Sequence, residues 1–383
     1  MNRPQSEPRG SPPGPREGPR FLVLQWHVTE RCNFRCEHCY QEQYSRRDEF
    51  DFDGLLGVLD QFLEFIAHCR EKEVPRLVRA HINVAGGEPF VRKDFLDLLA
   101  VFAQNKEHFS YGILSNGSLI DSELAHRLRE LGTSFVQVSI EGTAETNDTI
   151  RARGAFERAV VALKQLRTEH VPTIISFTAH RGNYREFPEV ARLGREVGAA
   201  RVWADRLIPA GSGLGLGDMS LTPEETREFF EIMESSRAQG GDGFCPTDIS
   251  MGRALQFRVG GATPYRCVAG EDLITVQPNG DVYPCRRLPI LVGNLTQTRL
   301  IDLYYESEFF QELRGHTESE GCGGCSFSKQ CRGGLRCLSY AATGDPFASD
   351  PGCWHAADTF RPGVEAGGIV RFRQSPRESW CRG

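Results

Sequence analysis

The feature that most constrains this chain is a sixfold alternation of strand and helix patterns. Apolar, β-branched runs at 21–29, 80–85, 111–115, 134–140, 173–179 and 201–207 read as strands. Helical spacing recurs between them. Leu55, Leu59, Phe62, Leu63 and Ile66 mark one helix, and others are expected at 93–105, 121–131, 155–168 and 184–197. Strands separated by helices require right-handed crossovers and a parallel sheet. Six β/α units fall short of the eight that close a barrel. The expected fold is therefore α/β, a partial (β/α)6 TIM-like barrel. A further helix is expected at 222–236, with Thr222 as N-cap, Pro223 at the first helical position and Glu225 completing a capping box.

Beyond that helix the rhythm stops. Residues 21–237 read as the barrel core, 238–263 as a linker, and 264–358 as a cysteine- and glycine-rich domain stabilised by bound metal rather than an apolar core. The first 20 residues hold six Pro and three Gly and read as a disordered tail, and 359–383 as a second tail. A net charge of −6, from 45 Lys plus Arg against 51 Asp plus Glu, argues against sequence-independent nucleic-acid binding. No apolar run suggests a membrane span, and the N-terminus lacks a signal-peptide core, so a cytoplasmic location is expected.

In a reducing compartment the thirteen cysteines then require explanation. Their odd count excludes an all-disulfide framework, and clustered cysteines there more often bind metal or do chemistry. Cys32, Cys36 and Cys39 lie directly after the first strand, at the end where barrels build active sites. Three thiolates on one loop can hold three irons of a [4Fe–4S] cube and leave the fourth open to a small chelator. A zinc site using Cys36 and Cys39 with Cys32 or His38 is the alternative.

With its C-x3-C-x2-C spacing and Tyr40 after the third cysteine, this motif resembles that of the radical S-adenosylmethionine superfamily. Gly86-Gly87-Glu88-Pro89 after the second strand matches the family's GGEP motif, which holds the cofactor's methionine amino group. Ser115-Asn116-Gly117 ends the third strand as the family's TNG does. Ser139 and Arg151 resemble the pair that contacts the ribose and the methionine carboxylate, and Tyr40 is expected against the adenine. The resemblance implies reductive cleavage of S-adenosylmethionine to a 5′-deoxyadenosyl radical that abstracts a substrate hydrogen. It also implies an electron donor such as flavodoxin or ferredoxin. No catalytic acid or base is assigned.

The later cysteines, within the segments around PNGDVYPC (278–285) and Gly293-Asn294, resemble a SPASM domain carrying one or two auxiliary [4Fe–4S] clusters. By analogy, Cys322, Cys325, Cys331 and Cys353 hold one cluster, and Cys267, Cys285 and Cys337 contribute to the other. Leu335 stands where the family commonly has a cysteine, which leaves Cys245 as a weak candidate for a fourth ligand. Cys69 reads as a buried hydrophobe and Cys381 as a free thiol. Arg206 and Pro209 resemble the family's strand-six end. The glycine run at 211–217 reads as a flexible loop, a lid candidate, at the barrel mouth.

The resemblance implies an oxidoreductase or maturase acting on a ribosomally made peptide or a protein side chain. Two features weigh against this substrate: no leader-recognition domain is expected in the short N-terminal stretch, and Arg286 follows Cys285 where sulfatase maturases carry an aspartate base. The alternatives are the same chemistry on a tetrapyrrole, nucleoside or sugar, and a non-enzymatic zinc-binding module.

Overall fold

A computed structural model describes residues 21–45, 48–72, 79–239, 247–260 and 264–355. Both terminal tails, Cys245 and Cys381 lie outside them. The barrel begins with β1 (Phe21–His27), α1 (Phe52–Lys72), β2 (Arg79–Ala85), α2 (Phe95–Gln104), β3 (Ser110–Ser115), α3 (Ser122–Glu130) and β4 (Phe135–Ser139). It continues through α4 (Ala144–Ile150), α5 (Ala155–Thr168), β5 (Thr173–Ala179), α6 (Phe187–Val197), β6 (Arg201–Arg206) and α7 (Pro223–Ala238). The capping box on α7 forms as expected: Thr222 Oγ1 accepts from Glu225 N at 3.1 Å, and Thr222 N donates to Glu225 Oε2 at 2.8 Å.

The C-terminal part adds β7 (Asp248–Ser250), α8 (Phe257–Gly260), β8 (Leu273–Val276), β9 (Asp281–Tyr283), β10 (Gly293–Asn294), α9 (Leu300–Glu306), α10 (Glu308–Gly315), α11 (Ser328–Cys331) and α12 (Arg336–Thr343). All strands belong to one sheet ordered β10-β9-β8-β1-β2-β3-β4-β5-β6-β7. Its run from β8 to β7 is parallel throughout, and β9 and β10 are antiparallel additions. Among the described residues the two ends of the sheet, β10 and β7, do not pair, so the barrel is open.

Four strands lie outside the expected six-unit pattern, and two of them extend its parallel run. The stretch read as a linker supplies β7, which pairs with β6, and the cysteine-rich region supplies β8, which pairs with β1. The cysteine-rich region is therefore hydrogen-bonded into the barrel sheet.

One side of the sheet is a conventional apolar layer. Leu22, Leu24 and Trp26 of β1 alternate toward the helices, where Trp26 meets Phe102 of α2 at 5.8 Å between ring centroids. The layer continues into the C-terminal part, where Phe65 of α1 packs on Tyr304 of α9 at 4.9 Å. The other side faces the barrel interior and is largely polar. It carries Gln25, Asn83, Gln137, Ser139, Ser176, Trp203 and Asp205.

Candidate active site and cluster-binding cysteines

The cysteine loop leaves the end of β1 and is held there by the segment after β2. Gly87 N donates to Thr29 O and Glu88 N to Arg31 O, both at 2.8 Å. A Cβ on Gly86 would stand 2.5 Å from Thr29 O, and one on Gly87 2.3 Å from Arg31 O. Both glycines are thus required for this backbone contact. Pro89 opens a short 3-10 turn capped by Glu88.

Glu88 is fully buried and accepts from Ser115 Oγ at 2.9 Å, Asn116 N at 2.8 Å and Phe90 N at 3.3 Å. Burial outweighs these donors and leaves its carboxyl pushed up to about 7. Glu88 therefore links the GGEP segment to the Ser115-Asn116 turn. Asn116 in turn donates to Asn33 in the cysteine loop at 2.9 Å.

Arg151 reaches the same loop from the end of α4, with Nη1 3.9 Å from Cys36 Sγ. Its other nitrogen donates to Glu141, which the sequence reading did not single out. Glu141 is 1% exposed, lies 3.2 Å from His38 Nε2 and accepts from Thr178 N at 2.7 Å. Burial alone would raise its carboxyl, but Arg151 and His38 hold it down at about 2. Arg151 Nε and His38 Nδ1, although buried, have no hydrogen-bond partners among the described residues. Ser139 sits nearby on β4 and accepts from Ser176 Oγ at 3.2 Å.

Tyr40 is half-buried, its ring 6.2 Å from that of His27, and removal from water pushes its phenol up to about 12, so it stays protonated. The Arg286 guanidinium stands 5.5 Å from the Tyr40 ring centroid. Arg286 follows Cys285 directly, so this contact brings the front and back cysteine segments together.

The glycine run is ordered in 3-10 turns over Gly211–Met219, not a loose loop. Gly213 N donates to Cys39 O at 3.0 Å and Ser212 N to Gln41 O at 3.2 Å. A Cβ on Gly211 would meet Tyr40 C at 2.2 Å. The glycines let two backbones lie together, so this segment clasps the cysteine loop.

The ten cysteines read as ligands fall into three groups. Cys32, Cys36 and Cys39 interact electrostatically on the front loop, where burial pushes Cys32 up to about 11 and also raises Cys36. Cys267, Cys285 and Cys337 interact likewise, with Cys285 and Cys337 buried against Leu335 and Leu288. Cys322, Cys325, Cys331 and Cys353 line one cavity with Asp350. Burial pushes Cys322 up to about 11 and Cys331 to about 12, so ligation must displace thiol protons.

Among the described residues, no three Cys, His, Asp or Glu side chains converge closely enough for a single metal ion. The soft, all-sulfur donor sets fit iron–sulfur cubes, whose irons are ligated separately. Cys69 is buried in α1 with its sulfur 3.9 Å from Tyr305 Oη.

A parallel open barrel with a three-cysteine loop at the strand ends, joined to a cysteine-rich module, defines a class of iron–sulfur enzymes. A family model described as the radical SAM superfamily matches residues 26–194, and one described as an iron–sulfur cluster-binding domain, SPASM, matches 267–326. The AdoMet-dependent heme synthase of Methanosarcina barkeri is 28% identical over 362 residues, 90% of this chain and 97% of that protein. The mycofactocin maturase MftC of Mycobacterium tuberculosis is 31% identical over 345 residues, 87% and 82% of the two chains.

Among solved structures, Streptococcus suis SuiB bound to precursor peptide SuiA matches with a TM-score of 0.66 at 16% identity, covering 87% of this chain and 75% of that one. The protein anSMEcpe with bound AdoMet and a peptide matches with a TM-score of 0.69 at 17% identity, covering 88% and 94%. At these identities the structural likeness shows the fold alone. The chain belongs to the radical SAM superfamily and carries a C-terminal SPASM domain. It is an enzyme whose cofactors are a [4Fe–4S] cluster with S-adenosylmethionine and auxiliary iron–sulfur clusters. Among the described residues, no helix is long and apolar enough to cross a membrane.

Proposed function

We propose that this enzyme removes a hydrogen from a ribosomally made peptide or a protein side chain held between the front loop and Cys285. The observation that carries this reading is the contact between the two cysteine regions: Arg286, next in sequence to Cys285, stands 5.5 Å from the ring of Tyr40, next in sequence to Cys39. When bound, the reduced cluster and S-adenosylmethionine supply the hydrogen-abstracting radical. Cys32, Cys36 and Cys39 hold that cluster. Tyr40, Gly86, Gly87, Glu88, Pro89, Ser115, Asn116, Ser139 and Arg151 shape the S-adenosylmethionine pocket.

Cys322, Cys325, Cys331 and Cys353 hold one auxiliary cluster, and Cys267, Cys285 and Cys337 hold the other. In this reading residues 21–237 carry the radical chemistry and 264–358 the auxiliary clusters. A flavodoxin or ferredoxin supplies the electron. Likeness to the mycofactocin maturase supports the peptide substrate. Likeness to AdoMet-dependent heme synthases, spanning 97% of one such relative, supports a tetrapyrrole as the second reading.

The test is anaerobic reconstitution followed by assay of 5′-deoxyadenosine with a chemical reductant. Cys36→Ala is expected to abolish this product. Cys325→Ala is expected to retain part of it while ending substrate turnover. Equal and complete loss in both variants would overturn the division of labour.

A further inference from the structure

The interior face of the sheet bears a row of polar groups beside the substrate position. The registers Gln25↔Thr275 and Thr275↔Tyr283 put these three residues on one face of β1, β8 and β9, opposite Trp26. Alternation carries His27 and Gln277 to the same face, one step nearer the cysteine loop. Thr275 is 0% exposed and Gln277 5%, yet Thr275 Oγ1 and both polar atoms of the Gln277 amide lack hydrogen-bond partners among the described residues. Buried polar groups of this kind are costly unless something completes them.

The Arg286 guanidinium lies 5.5 Å from the Tyr40 ring, which in turn meets the ring of His27 on that face at 6.2 Å. Its charge depresses His27, whose basicity burial has already lowered, and it also reaches Tyr283. Among the described residues its buried Nε has no partner, and its nearest carboxylate oxygen, on Glu30, is 3.9 Å away, beyond hydrogen-bond distance. The neighbouring arginines differ. Arg287 and Arg253 donate to Asp205 at 2.7 and 2.9 Å, and Arg206 holds Asp350 with two bonds of 2.8 and 2.7 Å. Arg286 therefore keeps a guanidinium fork to offer, and a planar carboxylate is its natural complement.

We propose that Arg286, with Gln277 and Thr275, forms a subsite that anchors a carboxylate of the substrate between the radical-forming loop and Cys285. The proposal rests on the reading of that cleft as the substrate position. A peptide's carboxylate and the acid side chains of a tetrapyrrole offer the same chemistry.

The experiment uses the reconstituted full-length chain and two probe pairs. One pair is iron coproporphyrin III and its tetramethyl ester; the other is mycofactocin precursor peptide as free acid and as C-terminal amide. The wild-type chain is expected to bind one acid at least tenfold more tightly than its neutral counterpart, and the pair that discriminates identifies the source. Arg286→Gln should remove most of that preference while changing binding of the neutral form less than twofold. Arg286→Lys, which keeps the charge and loses the fork, should fall between. Gln277→Leu should weaken acid binding about threefold and decides the matter if Arg286→Gln fails to load iron.

Absence of any acid preference in the wild-type chain overturns the proposal, as does equal weakening of both forms by Arg286→Gln. Formation of 5′-deoxyadenosine by the wild-type chain tests the family chemistry separately. Loss of acid preference with cleavage retained sinks only the carboxylate subsite.

Discussion

Glu141 gathers His38, Arg151 and the backbone of Thr178 around one buried carboxylate, and so joins the cysteine loop to β4 and β5. Glu141→Gln would leave Arg151 and His38 without their anion. Removing one partner of such a buried pair costs about 3 kcal/mol or more. A lowered unfolding midpoint and reduced iron per chain would report it; unchanged values would show that the pair is dispensable.

His81 provides a pH test away from the cysteines. It lies on the interior face of β2, bonded to Ser110 Oγ at 2.8 Å and stacked on Phe135 at 5.4 Å. Burial holds it down from 6.5 to about 4. The folded chain thus favours the neutral ring, so the unfolded chain binds the extra proton first. Stability is full above pH 6.5 and falls as pH drops toward 4, by on the order of 3 kcal/mol. His81→Asn should flatten that slope in denaturant titrations at pH 7, 6 and 5.

At this scale the motif residues were legible because their types and spacings recur in a known chemistry. Glu141 and Gln277 were not, since each acquires meaning only when distant strands set its neighbours.

Among elements, the join between the barrel and the last cysteine group rests on Arg206 at the end of β6. Its partner Asp350 also accepts from Leu335 N at 3.1 Å and Gly352 N at 2.9 Å. Asp350→Ala should lower stability by about 3–5 kcal/mol, read by thermal unfolding, with iron lost from the Cys322 group first.

Gly211 has a positive φ of 60° and no room for a side chain against Tyr40. Gly211→Ala should loosen the clasp and reduce iron retention during gel filtration, whereas Gly215→Ala, at a position with no atom near its Cβ direction, should not. Sequence patterns identified the major barrel helices because their apolar faces repeat. They missed α4, whose Ala-Glu-Thr-Asn-Asp-Thr-Ile run is short and mostly polar. The glycine run misled because the same residues serve mobile loops and close backbone contacts.

For the whole molecule, the open barrel was legible from six strand–helix repeats, and the cysteine groups from spacing. The joining of the cysteine-rich part to the barrel was not. Strands β7 to β10 are two to four residues long, too short for periodicity to register. Full reconstitution should give about twelve irons per chain, four for each cube. Iron analysis giving about eight would mean that the three-cysteine group of Cys267, Cys285 and Cys337 does not hold its own cube.

The pairing of β8 with β1 also sets the order in which the chain can fold. Val23 through Trp26 meet Leu273 through Val276, partners about 250 positions apart, so the first strand made waits for almost the last. Until then its hydrogen-bonding edge is bare on the β8 side, and a bare edge recruits other chains. A chain ending at residue 263 should therefore self-associate. Light scattering during refolding would detect this, and a long-lived monomer would show that the edge is protected by other means.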